Sequence, residues 1–467
     1  MEALTIREIL KAVNGQLLGD FKDQDAVVTH VETDSRTISK GALFLPLTGE
    51  RFDGHAYINE ALKGGAAGCL TQREREVYLP GKFYIKVDST HKALRDLAVW
   101  YKARFDIPVV AITGSVGKTT TKDMVASVLS EHYQVLKTEG NFNNDIGLPM
   151  TILRMEKKHQ IAVLELGMNH AGELEYLSGI AQPDIVLITN VGDSHIENFG
   201  SRDGIFKAKC EIFSHAKPGF LSILNGDDAL LNTLTKDHLP GQPGEVIYCG
   251  NDENLAYHVS NLESDCRSQL TCTVDTPKGS SQLTIPALGG HMIYPTLMAV
   301  AVGQHFDMKL DEIANGVRNF APTKMRMGIL SRADGITILD DTYNANPQSM
   351  RAAIEVLNTY SGDYKIAVLG DMFELGSMAP ILHTEVGKYV GSSHIDCLVA
   401  IGELARDIYQ AAQEAGKQQC LYFQEKKEAL PALKELVKPN TTVLVKASRG
   451  MEFEVITDYL KNITRES

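Results

Sequence analysis

The sequence is short of the features that mark several large protein classes. No apolar run approaches the roughly 18–20 residues needed to cross a bilayer, so no integral membrane segment is expected. The first residues, MEALTIREILKAV, carry Glu2 and Glu8 where a secretion signal would have an apolar core. A basic excess is also lacking. The 59 acidic and 46 basic side chains give a formal charge of −13, which speaks against nucleic acid as a partner. The seven cysteines (Cys69, Cys210, Cys249, Cys266, Cys272, Cys397 and Cys420) form no CxxC and cannot all pair. Reduced thiols, a cytoplasmic location and no zinc site are the expectation. There is no internal repeat and no low-complexity tract.

The 467 residues suffice for about three domains. The hydrophobic content of 43% is enough to give each a core. Thr5 and Glu8 form a capping-box pattern ahead of Ile6, Ile9, Leu10 and Val13, which share one helical face. A Gly- and Asp-rich stretch, 33–55, leads to a helical segment, 56–63, and the apolar run 83–87 closes a small first domain, 1–87. A linker helix is expected over 91–105. Short β-rich runs then alternate with helix-like segments at 108–113, 161–166, 184–189 and 220–224, the pattern of a parallel α/β sheet. Thr/Val alternation over 270–286 predicts an antiparallel hairpin added to that central domain, 88–321. Alternation resumes at 336–339, 364–369, 397–401 and 442–446 in a third domain, 322–467. A chain with three domains of its own is expected to be a monomer.

The sharpest local signal is Gly114-Ser115-Val116-Gly117-Lys118-Thr119-Thr120, between an apolar run and a segment with helical spacing. A Gly-rich turn lets backbone N–H groups approach an anion, and the following helix adds the positive end of its dipole. Lys118 would neutralise β- and γ-phosphates, and Thr119 or Thr120 would hold Mg²⁺. The spacing is GxxGKT, shorter than the general GxxxxGKT. A GTPase would add DxxG and NKxD elements, and neither is present. Glu165 ends the next apolar run, where a carboxylate can reach a metal ion; by itself it reads equally as a plain strand-end acid.

In order and spacing GSVGKTT (114–120), GNFNNDIGLP (140–149), LELGMN (164–169) and DSHIENFGS (193–201) resemble the Mur ligase family. DDTYNANPQSM (340–350), LGDMFELG (369–376) and KASRGME (446–452) extend the resemblance over essentially the whole chain. It implies three domains: a UDP-substrate holder, a P-loop ATP-binding domain, and a Rossmann-like domain that closes over the site. It implies ATP and Mg²⁺ as cofactors, and UDP-MurNAc-tripeptide and D-Ala-D-Ala as substrates. ATP would phosphorylate the tripeptide's terminal carboxylate, and the dipeptide amine would displace phosphate.

By resemblance, Glu165, His195 and Lys209 join Thr119 around the metal, Lys209 as a carbamate; Lys207 is its near rival. Arg326, Asp341 and Asn346 reach the nucleotide together with the loop Gly114–Thr120. Asn141, Asn143, Asn144, Tyr343 and Asn344 contact substrate, and Ser448 and Arg449 take the dipeptide carboxylate. Asp34, Ser35, Arg36, Gly49, Arg51, Asp53 and His55 serve the uridine diphosphate. One block departs from the family pattern. A His-Asn-x-x-Asn element on the adenine side is here His291-Met292-Ile293-Tyr294-Pro295, without either asparagine. Two other readings stand beside this one: another amide ligase of the same architecture (folylpolyglutamate synthase, or the ligase adding the third amino acid), and a P-loop nucleotide-binding module without ligase activity.

Overall fold

The structure is a computed structural model that describes residues 1–49 and 52–463. Three sheets organise it. The first has five strands in the order Gln16–Leu18, Phe83–Lys86, Gly68–Thr71, Leu43–Phe44, Val31–Glu32, parallel except for the first pair. Helix Ile6–Val13 starts at the expected capping box, with Thr5 and Glu8 each bonding the other's backbone N–H, and it buries Ile6, Ile9 and Val13. Helix Thr90–Lys102, capped by Ser89, follows this sheet and buries Ala93, Leu94, Leu97, Ala98 and Tyr101.

The central sheet has nine strands. Their order is Gly279–Ile285, Leu270–Thr276, Tyr257–Ser264, Glu245–Gly250, Leu221–Asn225, Ile185–Ile188, Val109–Thr113, Ile161–Glu165, Val135–Lys137. The last seven of these are mutually parallel. The expected hairpin is present, but it is not a separate appendage. Strand Tyr257–Ser264 pairs antiparallel with it and parallel with Glu245–Gly250, so the hairpin continues the main sheet. Both of these joining strands are missing from the sequence expectation. Tyr257–Ser264 shows inward alternation only in its first half, Tyr257 and Val259, and so carries a weak period-2 signal. Helix Ile293–His305 is apolar on nearly every side because it is enclosed on nearly every side.

The third sheet runs Gly328–Ser331, Thr337–Asp340, Thr441–Lys446, Tyr364–Gly370, Cys397–Ile401, Gln419–Phe423, parallel but for its first strand. Its two edge strands are also missing from the sequence expectation, as are four of the five strands of the first sheet. Both edge strands are only half-buried and show no inward–outward alternation. The overall class is the expected α/β, with helices flanking parallel strands.

This topology positions the site. In a parallel sheet the C-terminal strand ends lie on one side, where ligands bind. The ends of Val109–Thr113, Ile161–Glu165, Ile185–Ile188 and Leu221–Asn225 in the central sheet, and of Thr337–Asp340 and Thr441–Lys446 in the third, all feed one cavity of about 1200 Å³. Among the described residues, no helix is long and apolar enough to cross a membrane.

Candidate active site

The loop between strand Val109–Thr113 and helix Lys118–Leu129 needs two glycines for different reasons. Gly114 has φ +152°, and a Cβ there would lie 1.8 Å from Thr189 Oγ1. Gly117 caps the helix at φ +84°, a left-handed conformation that side chains disfavour. The loop is braced from behind by the next strand end. Val116 N–H donates to Asn190 Oδ1 (2.9 Å), while Thr189 Oγ1 (2.6 Å) and Asn190 Nδ2 (2.9 Å) both donate to Val116 O. Ser115 Oγ accepts from Gly192 N (2.9 Å). The first intrahelical bond is Thr121 N to Gly117 O, so the N–H groups of the helix's opening turn have no partner within the helix. Lys118 Nζ folds back onto Gly114 O at 2.8 Å. Burial holds its ammonium below the usual lysine range, with Arg326 pushing the same way and Glu165 opposing. Ser115 to Thr120 all line the cavity, and the loop therefore offers a preformed, electropositive anion cradle.

Glu165 ends its strand at 2% exposure. Its Oε1 accepts from Asn143 Nδ2 at 2.8 Å, and its Oε2 is buried with no hydrogen-bond partner. An unmatched buried carboxylate oxygen is costly unless something cationic completes it. Beside the Thr119 hydroxyl, this donor set fits a hard, oxygen-seeking cation. His195 also lines the cavity, in a left-handed conformation (φ +62°) at the start of helix Ile196–Phe199. Its Nδ1 lies 2.6 Å from Glu374 Oε2 of the third domain, which holds the Glu374 carboxyl below its usual range. Lys209 is buried (2% exposed) on helix Arg202–Cys210, behind the cavity wall rather than on it. Burial, then the nearby charge of Lys118, hold its ammonium well below the usual lysine value, against the opposing pull of Asp228. Lys207 is exposed on the same helix, so only Lys209 has the environment of a neutral amine.

The third domain supplies the facing wall. Arg326 sits between Met325 (φ +63°) and Met327 (φ +53°), two left-handed non-glycine residues. They are held there by Tyr343 N to Met325 O (3.0 Å) and Met327 N to Asp341 Oδ1 (3.1 Å). The guanidinium lies 4.1 Å from the Tyr343 ring centroid, and its Nε is buried without a partner. Asp341 Oδ2 accepts from Lys446 Nζ at 2.5 Å. Lys446, itself buried, was not singled out by sequence, although it ends a strand inside a quoted block. Asn344 lines the cavity. Asn346 also lines it, but its amide is partly committed: Oδ1 caps helix Pro347–Thr359 through Ser349 N (2.8 Å), and Nδ2 donates to Ser194 Oγ (2.6 Å). It ties the two domains together and still keeps one amide hydrogen and one acceptor site uncommitted.

Several other expected residues are placed elsewhere. Asn143 and Asn144 line the cavity; Asn141 is exposed outside it. Ser448 Oγ accepts from Phe373 N at 2.8 Å, and Arg449 pairs with Glu454 at 2.8 Å, both away from the cavity lining. The Arg449–Glu454 pair is half-exposed, so the guanidinium stays open to exchange of partners. In the first domain Arg36 pairs with Asp34 at 2.6 Å, and the contact pulls the Asp34 carboxyl down to about 2. Asp53 accepts from His55 N, His55 Nδ1 (2.7 Å) and Arg73 (3.0 Å), while His55 Nε2 accepts from Gln72 N (3.1 Å). Both ring nitrogens of His55 are thereby engaged within the fold. Ser35 and Gly49 stay near the surface, Arg51 lies outside the described residues, and no described residue of 34–55 lines the cavity. Where the asparagines of the adenine-side element are lacking, Met292 and Pro295 line the cavity beside Tyr294, whose hydroxyl donates to Asp227 Oδ2 at 3.0 Å.

Three family models match the chain: "Mur ligase family, catalytic domain" over 27–101, "Mur ligase middle domain" over 112–303 and "Mur ligase, glutamate ligase domain" over 325–449. The UDP-N-acetylmuramoyl-tripeptide–D-alanyl-D-alanine ligase of Bacillus subtilis (strain 168) is 38% identical over 459 residues, 97% of each chain. A solved structure from Acinetobacter baumannii, described as UDP-N-acetylmuramoylalanyl-D-glutamyl-2,6-diaminopimelate–D-alanyl-D-alanyl ligase, superposes with a TM-score of 0.87 at 32% identity. The match covers 99% of each chain. The MurF ligase of Thermotoga maritima in complex with ADP gives 0.80 at 27% identity, over 92% of this chain and 97% of that one.

Proposed function

The chain belongs to the Mur ligase family, and from that premise we propose that it joins D-Ala-D-Ala to the terminal carboxylate of UDP-MurNAc-tripeptide, using ATP. The observation that carries this reading is the cavity itself. One wall is a phosphate cradle with Lys118 and an unmatched Glu165; the other brings Arg326 from the third domain. The family resemblance and the full-length identity to ligases of this name supply the substrates.

The chemistry asks for such an arrangement. A carboxylate is a poor electrophile, so an oxygen of the tripeptide carboxylate attacks the γ-phosphorus of ATP, and ADP leaves. The dipeptide amine then attacks the acyl carbon, phosphate leaves with the C–O bonding pair, and the nitrogen sheds its extra proton as the amide forms. Two anions must first be brought together. The N–H groups at the start of helix Lys118–Leu129 and the Lys118 ammonium orient the phosphates and offset their charge. Arg326, desolvated over Tyr343, adds a second cation from the opposite wall. A bound Mg²⁺ would supply further charge neutralisation, held by Glu165, Thr119 and His195, with Lys209 contributing as a carbamate. The depressed lysine pKa supports that assignment, because only the neutral amine adds CO₂. Apposition of the third domain excludes water that would hydrolyse an acyl phosphate.

The adenine is assigned to the wall of Met292, Tyr294 and Pro295, with the Tyr294–Asp227 pair as its polar edge. The UDP end is assigned to the surface of the first domain, which with the central and third domains gives divisions at 1–87, 88–321 and 322–467. A monomer in the cytoplasm fits the seven free thiols. The test is phosphate release with each substrate omitted in turn. Turnover is expected only when ATP, Mg²⁺, UDP-tripeptide and D-Ala-D-Ala are all present. ATP turnover indifferent to the last two would refute the reading.

A further inference from the structure

One part of the cavity wall carries none of the residues assigned so far. It includes His91, from the helix that joins the first domain to the second, and Tyr176, from helix Glu173–Ala181. Arg95 is not itself part of the cavity lining but lies one turn beyond His91, on the same face of its helix and against Tyr176, which is. Its guanidinium carbon is 5.0 Å from the Tyr176 ring centroid. Its Nε is buried with no hydrogen-bond partner, and among the described residues no carboxylate lies within ion-pair distance of it. The nearby acid on its own helix, Asp96, is taken by Lys92 at 2.5 Å.

A half-buried guanidinium without an anion is an expensive thing to keep. Stacking on an aromatic ring offsets only part of the lost hydration, and the forked donors match a carboxylate best. The proposed substrate has carboxylates to spare. A glutamyl residue spends one of its two carboxyl groups on the amide to the next residue and keeps the other. A 2,6-diaminopimelate residue keeps a second carboxyl after the first is phosphorylated. We propose that Arg95, stacked on Tyr176, binds a carboxylate of the tripeptide other than the one that reacts, and so sets the peptide's register along the cavity. This rests on the ligase reading given above.

The test is a substrate–mutant cycle. Phosphate release by the wild-type enzyme with all substrates comes first; its absence overturns both the ligase reading and this one. Given turnover, Arg95→Met, which keeps the apolar stem over Tyr176, is expected to raise the tripeptide KM by about tenfold or more. The KM values for ATP and D-Ala-D-Ala should stay within about twofold. Two altered tripeptides then identify the carboxylate: one with the glutamyl carboxylate converted to a carboxamide, one with lysine in place of diaminopimelate. The altered group that raises the wild-type KM, and has no further effect in Arg95→Met, is the partner. An unmoved tripeptide KM in Arg95→Met overturns the proposal alone, as does independent addition of both alterations to the mutant's defect. Arg95→Lys keeps charge and stem but loses the fork, and should give an intermediate rise. It carries the same cycle if Arg95→Met does not fold.

Discussion

Two polar clusters of this molecule are built in opposite ways. In the first domain Asp34 with Arg36, and Asp53 with His55 and Arg73, satisfy one another near the surface. At the cavity, Glu165 Oε2 and Arg326 Nε are buried without partners, and burial holds the Lys118 and Lys209 ammonium groups below the usual lysine range. A cluster whose bonds are closed stabilises a loop. A cluster left open is a folding cost that only a ligand relieves, and such groups are the ones able to stabilise charge during a reaction.

The largest expected consequence is at Lys118. Lys118→Ala should lower kcat by about 1,000-fold without unfolding the protein, read by phosphate release beside circular dichroism. Near-normal turnover would dissolve the contrast between the clusters. Glu165→Gln keeps the shape and the Asn143 contact but removes the charge. It should cost about 100-fold in turnover and raise the Mg²⁺ concentration needed for half-maximal turnover, while the ligand-free protein melts no lower than wild type. A lower melting temperature would mean that the carboxylate is already satisfied.

Lys209 offers a pH test. Its folded pKa is depressed, so between that value and the ordinary lysine value of about 10.4 the unfolded chain binds one proton more. Stability therefore rises with pH across that window. Lys209→Met should be more stable than wild type at pH 7, with the gap closing above about pH 10.4, and it should lose most of its turnover. Supplying ¹³C-bicarbonate should give a carbamate resonance in wild type only. The smallest effect on chemistry belongs to the closed cluster. His55→Ala should cost roughly 1–3 kcal/mol in urea unfolding, through two lost hydrogen bonds, and leave kcat within about threefold.

Much of the cavity was legible because its chemistry lies in local strings. The phosphate loop and Asp341 follow directly on a strand, Glu165 ends one and His195 lies on the loop after another, and a parallel sheet sends all such ends to one side. Other residues escaped because their roles depend on distant partners. Asn190 is one residue among many until its amide is seen to close both sides of Val116. Lys446 becomes part of the site only where its strand lies beside Thr337–Asp340. For Asn346 and Arg449 side-chain chemistry alone does not reveal the partners that the fold supplies, a helix cap and Glu454.

The sequence by itself determined the α/β class, the phosphate loop and the family, because strand–helix periodicity and a glycine-dependent turn are local properties of the chain. Only the tertiary structure decided which polar groups are spent and which remain open. That depends on desolvation and on partners from other elements: Asn143 for one oxygen of Glu165 and none for the other, Tyr343 beneath Arg326, Tyr176 beside Arg95. No stretch of neighbouring residues encodes whether a charge will be buried or answered.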